Sequence, residues 1–386
     1  MPISADCQIA TKDDLERVGG PDCITRTAAN IHYRSGQPAF ALFDFDTKGM
    51  PPEVADKLKS MSGFWEALCG VLPALRGVSH MTGRSTSAGL LRTDTGVELA
   101  GSNGLHCYVA VRNGTDIERF RKTVHERCWL AGLGWMMVGA AGQLLERSIV
   151  DRMVGAPERL VFEAPPVLEA PLSQDAESRR PIVEDGSLLD SADACPPLTI
   201  VEKEALRKMR AQAAQYLLPE THRAREAFIA RRANWLAEHA DLADAVARRV
   251  IERQTSGILL PDVELQFDDP TIAVVKVAEV LDKPARYESQ TLADPIEGVE
   301  YGRCKAKIML RGDGTPWIHS FAHGGASYEL KYDAAAVRAA IERSAEPIEI
   351  LAKLVVRADL DEVEEKQLID DVAKRARWVS SSSLQG

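Results

Sequence analysis

Residues 39–46 constrain the fold of this chain more than any other part of its sequence. They read Ala-Phe-Ala-Leu-Phe-Asp-Phe-Asp, and this alternation of apolar bulk predicts a strand. Residues two apart on a strand lie on the same face, so Asp44 and Asp46 are expected side by side. Two close carboxylates repel each other, and a bound Mg²⁺ or Mn²⁺ relieves the repulsion because hard cations prefer carboxylate oxygen. The alternative is a strand end that leaves both Asp side chains in solvent.

Composition limits the class of protein. The length of 386 residues predicts two or three domains, and a hydrophobic content of 45% is typical of soluble proteins. The sequence predicts no membrane span and no secretory signal. The seven cysteines are scattered and include no Cys-x-x-Cys, which indicates reduced thiols in a cytoplasm. The net charge of −10 argues against a passive, charge-driven DNA coat, although an enzyme with a local basic groove remains compatible with it.

A second motif lies at 101–111, where a Gly/Ser/Asn turn leads into an alternating strand. His106 and Tyr108 share one face of that strand. Asp151 follows an apolar segment, as Asp44 does. Three carboxylates and a histidine at the ends of elements are the side chains that a two-metal phosphoryl-transfer site needs, with the histidine available to an incoming triphosphate. A lone histidine on a strand is more often structural.

Residues 39–170 resemble the catalytic core of the archaeo-eukaryotic primase superfamily, which includes primase-polymerases of phages, plasmids and other mobile elements. The motifs of that family are an apolar strand ending in Asp-x-Asp, a strand carrying His, and a later apolar residue followed by Asp. The matching segments here are Asp44-Phe45-Asp46, Gly101 to Tyr108, and Val150-Asp151. Gly104 stands two residues before the histidine, where many members have Ser, and this form is close to that of polymerases associated with bacterial end-joining ligases.

The resemblance implies roles for individual residues. The residues that would bind two Mg²⁺ or Mn²⁺ ions are Asp44, Asp46 and Asp151. His106 would contact the nucleotide phosphate, and Ser102 is a candidate for a second phosphate contact. The third motif is short, so Glu146 or Glu163 is an alternative to Asp151 as the third carboxylate.

Three more residues are candidates for nucleotide binding. Ser87 lies in the hydroxyl- and glycine-rich loop 84–89, a composition that can cradle phosphates, although such loops without any such role are more common. Arg159 is a candidate to hold the triphosphate together with His106. Lys48, which follows Asp46 by two residues, is the third.

The remaining sequence predicts an α+β protein with several parts. The expected parts are a catalytic domain at 1–172, an acidic flexible linker at 173–198, a helical basic segment at 199–256, a small β-rich module at 257–335, and C-terminal helices with a polar tail at 336–386. The resemblance implies an RRM-like core for the catalytic domain. The basic helices either lie along a nucleic-acid backbone or present a solvated face, and the sequence favours neither.

The β-rich module is expected to contain an antiparallel meander over residues 305–330. Cys304, His319 and His323 could hold zinc, but a fourth ligand is missing, so zinc is not expected. A module that binds nucleic acid or packs on the core is the favoured interpretation.

The sequence therefore predicts a DNA primase-polymerase, a nucleotidyltransferase that acts in replication of a phage, plasmid or integrated element. The expected partners are a single-stranded DNA template, nucleoside triphosphates, and a helicase-like ATPase that follows or accompanies this chain. The expected location is the cytoplasm of a bacterium or a phage-infected cell. The alternatives are a metal-dependent nuclease and a non-catalytic nucleic-acid-binding replication protein.

Overall fold

The computed structural model describes residues 7–11, 15, 17, 19–20, 22–99, 104–175, 177–240, 243–322 and 326–382. The chain forms two compact units, the first comprising residues 1–137 and 144–218 and the second comprising residues 138–143 and 219–386. Helices and strands occur in both, so the α+β class predicted from the sequence is confirmed. Every helix within the described ranges is too short or too polar to cross a lipid bilayer.

The first ten strands end at residue 184. They are β1 (Gln8–Ala10), β2 (Cys23–Thr25), β3 (Ala39–Phe45), β4 (His80–Arg84), β5 (Leu90–Arg92), β6 (Leu105–Val111), β7 (Gly134–Val138), β8 (Leu144–Ser148), β9 (Leu172–Gln174) and β10 (Ile182–Glu184). The helices up to residue 240 are α1 (Pro52–Ser60), α2 (Phe64–Val71), α3 (Ile117–Leu130), α4 (Ser191–Ala194) and α5 (Ile200–Ala240). Helix α5 belongs to the first unit as far as Leu218 and to the second from Pro219.

The central sheet of the first unit has the strand order β10-β4-β6-β3, and all its pairs are antiparallel. Ala41, Phe43 and Phe45 alternate along β3 and are buried against the helices. Phe43 meets Phe120 of α3 edge to face, with ring centroids 5.6 Å apart. Because side chains alternate across a strand, this packing turns Asp44 to the opposite face of the sheet. The strand predicted at 39–46 is present and ends one residue earlier.

The segment 173–198, expected to be a flexible linker, lies within the first unit and takes part in its sheets. Strand β9 pairs with β5, and β10 pairs with β4 at the edge of the central sheet. All three side chains of β10, which are Ile182, Val183 and Glu184, are exposed, so this strand has no buried alternation that the sequence could reveal. Backbone hydrogen bonds hold this edge strand, and composition does not reveal them.

The second unit contains seven further strands and six further helices within the described residues. The strands are β11 (Ile258–Leu259), β12 (Glu264–Gln266), β13 (Val274–Lys276), β14 (Thr291–Leu292), β15 (Ala306–Leu310), β16 (Pro316–Ser320) and β17 (Ala326–Leu330). The helices are α6 (Asp244–Thr255), α7 (Val277–Asp282), α8 (Pro284–Tyr287), α9 (Ala334–Arg343), α10 (Pro347–Val355) and α11 (Glu362–Ser382).

Five strands of the second unit form one sheet in the order β11-β17-β16-β15-β14. The meander predicted over 305–330 is present as β15, β16 and β17, which pair antiparallel. Ile308, Ile318 and Tyr328 point to one face and join a hydrophobic core with α7 and α8. The last three helices pack on one another around a separate core that includes Val337 and Leu368.

Candidate functional site

Strand register brings the first two motifs together. Asp44 of β3 lies directly opposite His106 of β6, and Gly83 of β4 lies opposite the same histidine on its other side. The His106 Nε2 atom is 3.7 Å from the Asp44 Oδ1 atom. Directly opposed residues on neighbouring strands have close Cβ atoms, so the pairing of β3 with β6 is sufficient to produce this contact.

A backbone hydrogen bond brings the third motif to the same place. The Asp151 amide nitrogen donates to the Asp44 carbonyl oxygen at 3.0 Å, which sets Asp151 beside the end of β3. One oxygen of the Asp151 side chain accepts from the Met153 amide at 2.7 Å. One oxygen of Asp46 likewise accepts from the Lys48 amide at 2.9 Å. These local turns fix the direction of both carboxylates and leave their second oxygens for other contacts.

The carboxylates influence one another electrostatically. Burial raises the pKa of Asp44 above its usual value of 3.8, the protonated form of His106 opposes that rise, and the charges of Asp151 and Asp46 add to it. An acid whose pKa rises for these reasons holds its proton more tightly than a free carboxyl does. A cation at this position would favour the ionised form.

A buried arginine supplies one such positive charge. Arg121 of α3 is 1% exposed, and its Nη2 atom donates to the Asp151 carbonyl oxygen. Burial lowers the pKa of Arg121 to about 10, so the guanidinium remains charged at neutral pH. Gly155 packs against this guanidinium so closely that a Cβ atom there would overlap Arg121 Nη1.

Glu163 anchors the histidine. The His106 Nδ1 atom lies 2.7 Å from Glu163 Oε1, and the Tyr108 hydroxyl donates to the same oxygen. Burial and this hydrogen bond raise the pKa of Tyr108, so the hydroxyl is protonated at neutral pH. With Nδ1 engaged by Glu163, the Nε2 atom of His106 is the one turned toward Asp44.

Glu146 belongs to a neighbouring group of polar side chains. Its Oε1 atom lies 3.0 Å from His125 Nε2 and also accepts from Arg210. His125 is buried, and its Nδ1 atom lies 3.0 Å from the Val150 carbonyl oxygen, next to Asp151. The two glutamates considered as alternatives to Asp151 are thus each engaged with a histidine.

Asp46, Lys48 and Asp151 line one small cavity. The other residues that line it are His125, Glu146, Arg147, Ser148, Val150 and Arg152. Carboxylates and cationic side chains therefore meet at one opening beside the end of β3, an arrangement suited to an ion or to a charged ligand.

The remaining candidates lie elsewhere. Ser87 is exposed in the turn between β4 and β5, and Arg159 is exposed and donates to the Met153 carbonyl oxygen. Neither lines the cavity described above. Ser102 lies outside the described residues, as does His323 of the possible zinc set.

The donor chemistry suits a hard divalent cation, because the carboxylates of Asp44, Asp46 and Asp151 are neighbours and the last two line the cavity. Within the described ranges, however, no three His, Cys, Asp or Glu side chains are spaced to hold a metal ion. Asp44, Asp46 and Asp151 are neighbours joined by backbone contacts and by their mutual charge, and not a preassembled ligand set.

Sequence reasoning missed Arg121 and the anchoring contact of Glu163. The helical pattern at 117–130 could have indicated that Arg121 is buried, because this arginine follows the buried Phe120 and stands three residues before the buried Val124. An arginine on the apolar side of a helix indicates a buried partner. The contact of Glu163 with His106 spans 57 residues of chain and has no counterpart in local sequence.

No known protein family, curated protein or solved structure matches this chain.

Proposed function

We propose that this protein is a DNA primase-polymerase of the archaeo-eukaryotic primase superfamily, with an RRM-like catalytic core and a two-metal nucleotidyl-transfer site. The observation that carries the proposal is the register of Asp44 opposite His106, with Asp151 joined to Asp44 by a backbone hydrogen bond. Three motifs far apart in sequence thereby come together at one end of one sheet. If the three motifs matched the family only by chance, there would be no reason for them to lie together in the folded chain.

Asp44, Asp46 and Asp151 are the residues that would hold Mg²⁺ or Mn²⁺. When bound, such ions lower the pKa of a primer 3′-hydroxyl and stabilise charge on the transferring phosphate. The raised pKa of Asp44 fits this role, because a bound cation would offset the burial and the neighbouring negative charges that disfavour its ionised form.

His106 is the candidate phosphate ligand. Glu163 holds its Nδ1 atom, so a protonated ring keeps that hydrogen bond and presents Nε2–H to a phosphate oxygen. Glu163 and Asp44 flank the ring, at 2.7 Å from Nδ1 and 3.7 Å from Nε2. Lys48 lines the adjacent cavity and is placed to attract the same anion.

Arg121 balances the acidic group from inside the protein. Its guanidinium is fixed by the Asp151 carbonyl oxygen and by close packing against Gly155. A buried positive charge near Asp44 and Asp151 partly offsets the repulsion between these two carboxylates. Arg121 is therefore a positioning residue and makes no contact with substrate.

The expected partners are a single-stranded DNA template and nucleoside triphosphates, with a helicase-like ATPase acting beside this chain in replication of a mobile element. The expected setting is a bacterial or phage-infected cytoplasm.

The decisive experiment measures incorporation of labelled nucleotides on single-stranded DNA with Mg²⁺ or Mn²⁺, with and without a primer. We expect wild-type activity to disappear in Asp44→Ala and to persist in Asp56→Ala, an exposed aspartate of α1. Undiminished synthesis by Asp44→Ala would refute the site. Degradation of the DNA without added nucleotides would instead support a nuclease, and the absence of both activities would support a non-catalytic binding protein.

A further inference from the structure

The β-rich sheet of the second unit has one face that its core does not use. Alternate residues of β16 point outward, and they are Trp317, His319 and, just beyond the strand, Phe321. The inward residues Ile308 and Ile318 are fully buried on the other side. The aromatic row therefore adds little to the core and is half-buried to exposed, with Phe321 at 57% exposure.

The three rings form a continuous stripe. His319 meets Trp317 edge to face with centroids 6.0 Å apart, and meets Phe321 in the same way at 4.9 Å. The stripe lies on a strand with neighbours on both sides, since β16 pairs with β15 and with β17. Rings held in this way present a rigid surface, which lowers the entropy lost when a flat ligand stacks on it.

The charge around the stripe is positive. The outward side chains of the adjoining strands and their ends include four cations and one carboxylate, which are Lys305, Lys307, Arg311, Lys331 and Glu329. A second carboxylate, Asp313, lies in the turn after Arg311 and interacts with it electrostatically. Glu329 pairs with Arg311 at 3.1 Å and with Lys331 at 3.2 Å. Lys307 lies directly opposite His319 and makes no ion pair with any residue that the structure describes. This excess of cations contrasts with the net charge of −10 of the whole chain.

We propose that this face, defined as Trp317, His319 and Phe321 with Lys305 and Lys307, binds single-stranded DNA by stacking unpaired bases on the aromatic row. Aromatic side chains stack on any base, and cations beside them contact the phosphates, which together make a sequence-tolerant single-strand site. Duplex DNA does not offer unstacked bases to a sheet face. The choice of DNA over RNA rests on the function proposed above, whereas the stacking surface itself does not.

The test is fluorescence anisotropy of a labelled oligothymidylate with the full chain, in EDTA and without nucleotides. Trp317→Ala and Phe321→Ala should each weaken binding about fivefold or more. Ile348→Ala is the control, because this side chain of α10 is 63% exposed in the same unit and lies outside the face. The affinity of this variant should stay within about twofold of the wild-type affinity. Trp317→Phe should retain most of the binding, since it keeps a ring.

A second variant tests the phosphate contact separately. Lys307→Gln should reduce the slope of log affinity against log salt by about 0.7, the contribution of one phosphate contact to a single strand. Phe321→Ala should leave that slope unchanged. Thermal melts of each variant establish that the unit is folded.

The outcomes separate this proposal from the catalytic one. Binding to the face is measured in EDTA and without nucleotides, so its loss in Trp317→Ala or Phe321→Ala does not depend on incorporation at the site of Asp44. Affinity unchanged in both aromatic variants, or no binding by the wild type, would overturn the stacking face. Tighter binding of an oligouridylate than of the DNA would overturn the assignment to DNA.

Discussion

Asp44 and His106 face each other across two antiparallel strands, with 3.7 Å between the carboxylate Oδ1 and the imidazole Nε2. The contact is too long for a strong hydrogen bond and short enough for strong electrostatic coupling. A small ligand atom could therefore interact with both groups without any movement of the strands. The following predictions concern the groups that surround this pair.

Asp44→Asn should make the metal-free protein more stable at neutral pH. Burial and neighbouring carboxylates raise the Asp44 pKa in the folded state, so its contribution to stability is full below the unfolded value of about 3.8 and is lost as pH rises through the folded pKa. The amide side chain of Asp44→Asn does not ionise, so its contribution to stability is not lost as pH rises. Urea unfolding in EDTA, repeated from acidic to neutral pH, should show a gain for Asp44→Asn at neutral pH that shrinks toward acid.

Added Mg²⁺ should reverse that order, because the ion stabilises the folded wild type more than it stabilises folded Asp44→Asn. Asp56→Asn provides the comparison, since Asp56 is exposed on α1. A wild type that is as stable as Asp44→Asn in EDTA at every pH would contradict the assigned effect of burial.

Glu163→Gln should weaken nucleotide binding more than it slows the chemical step. The glutamate accepts a charge-assisted hydrogen bond from His106, a contact worth about 1.5–3 kcal/mol. We expect KM for the nucleotide to rise roughly tenfold or more, with a smaller change in kcat. Steady-state incorporation kinetics measure both.

Tyr108→Phe removes the other hydrogen bond to Glu163 and leaves the histidine contact in place. It should have a smaller effect on KM than Glu163→Gln has. An equal effect of the two variants would indicate that the glutamate acts through the general packing of this face.

Arg121→Met should destabilise the first unit and reduce activity together. Removing one member of a buried charged group leaves the others uncompensated, which lowers the free energy of unfolding by roughly 3 kcal/mol. Arg76→Met is the control, because its pair with Glu66 is exposed and worth at most about 1 kcal/mol. Chemical denaturation of both variants gives the comparison, and equal losses would argue against a balancing role for Arg121.

Gly155→Ala should disturb the same place by a different route. The added methyl group would overlap the Arg121 guanidinium, which is fixed by the Asp151 carbonyl oxygen. Overpacking of this kind lowers stability by about 1–3 kcal/mol, and incorporation should fall as Asp151 shifts. Gly312→Ala has no heavy atom near the new methyl and should be nearly neutral. A melting temperature unchanged by Gly155→Ala would exclude the tight contact.

Sequence reasoning was most successful where one strand decides the geometry. The alternation at 39–46 predicted β3 and the face on which Asp44 lies, because the period of a strand fixes side-chain direction. The meander of β15 to β17 followed from the same pattern and its turns. The metal-binding and nucleotide-binding roles of the site residues stay predictions.

Contacts between distant segments could not be predicted in this way. His106 meets Glu163 and Arg121 meets Asp151 through folding of the chain, and no local periodicity encodes either pair. The segment 173–198 was expected to be a flexible linker because its hydrophobicity is low and it lacks periodicity, and its strand β10 buries none of its three side chains. Backbone hydrogen bonding distinguishes an edge strand from a linker, and amino-acid composition does not reveal it.

The pairing of β10 with β4 has a practical consequence for expressing the first unit by itself. A fragment that stops at residue 172, where the sequence alone would place the boundary, lacks the strand that covers the outer edge of β4. That edge would expose free backbone donors and acceptors to other chains, a known route to aggregation. Leu189, Cys195 and Leu198 are also buried in this unit. Fragments intended for crystallisation or assay should therefore extend past residue 198.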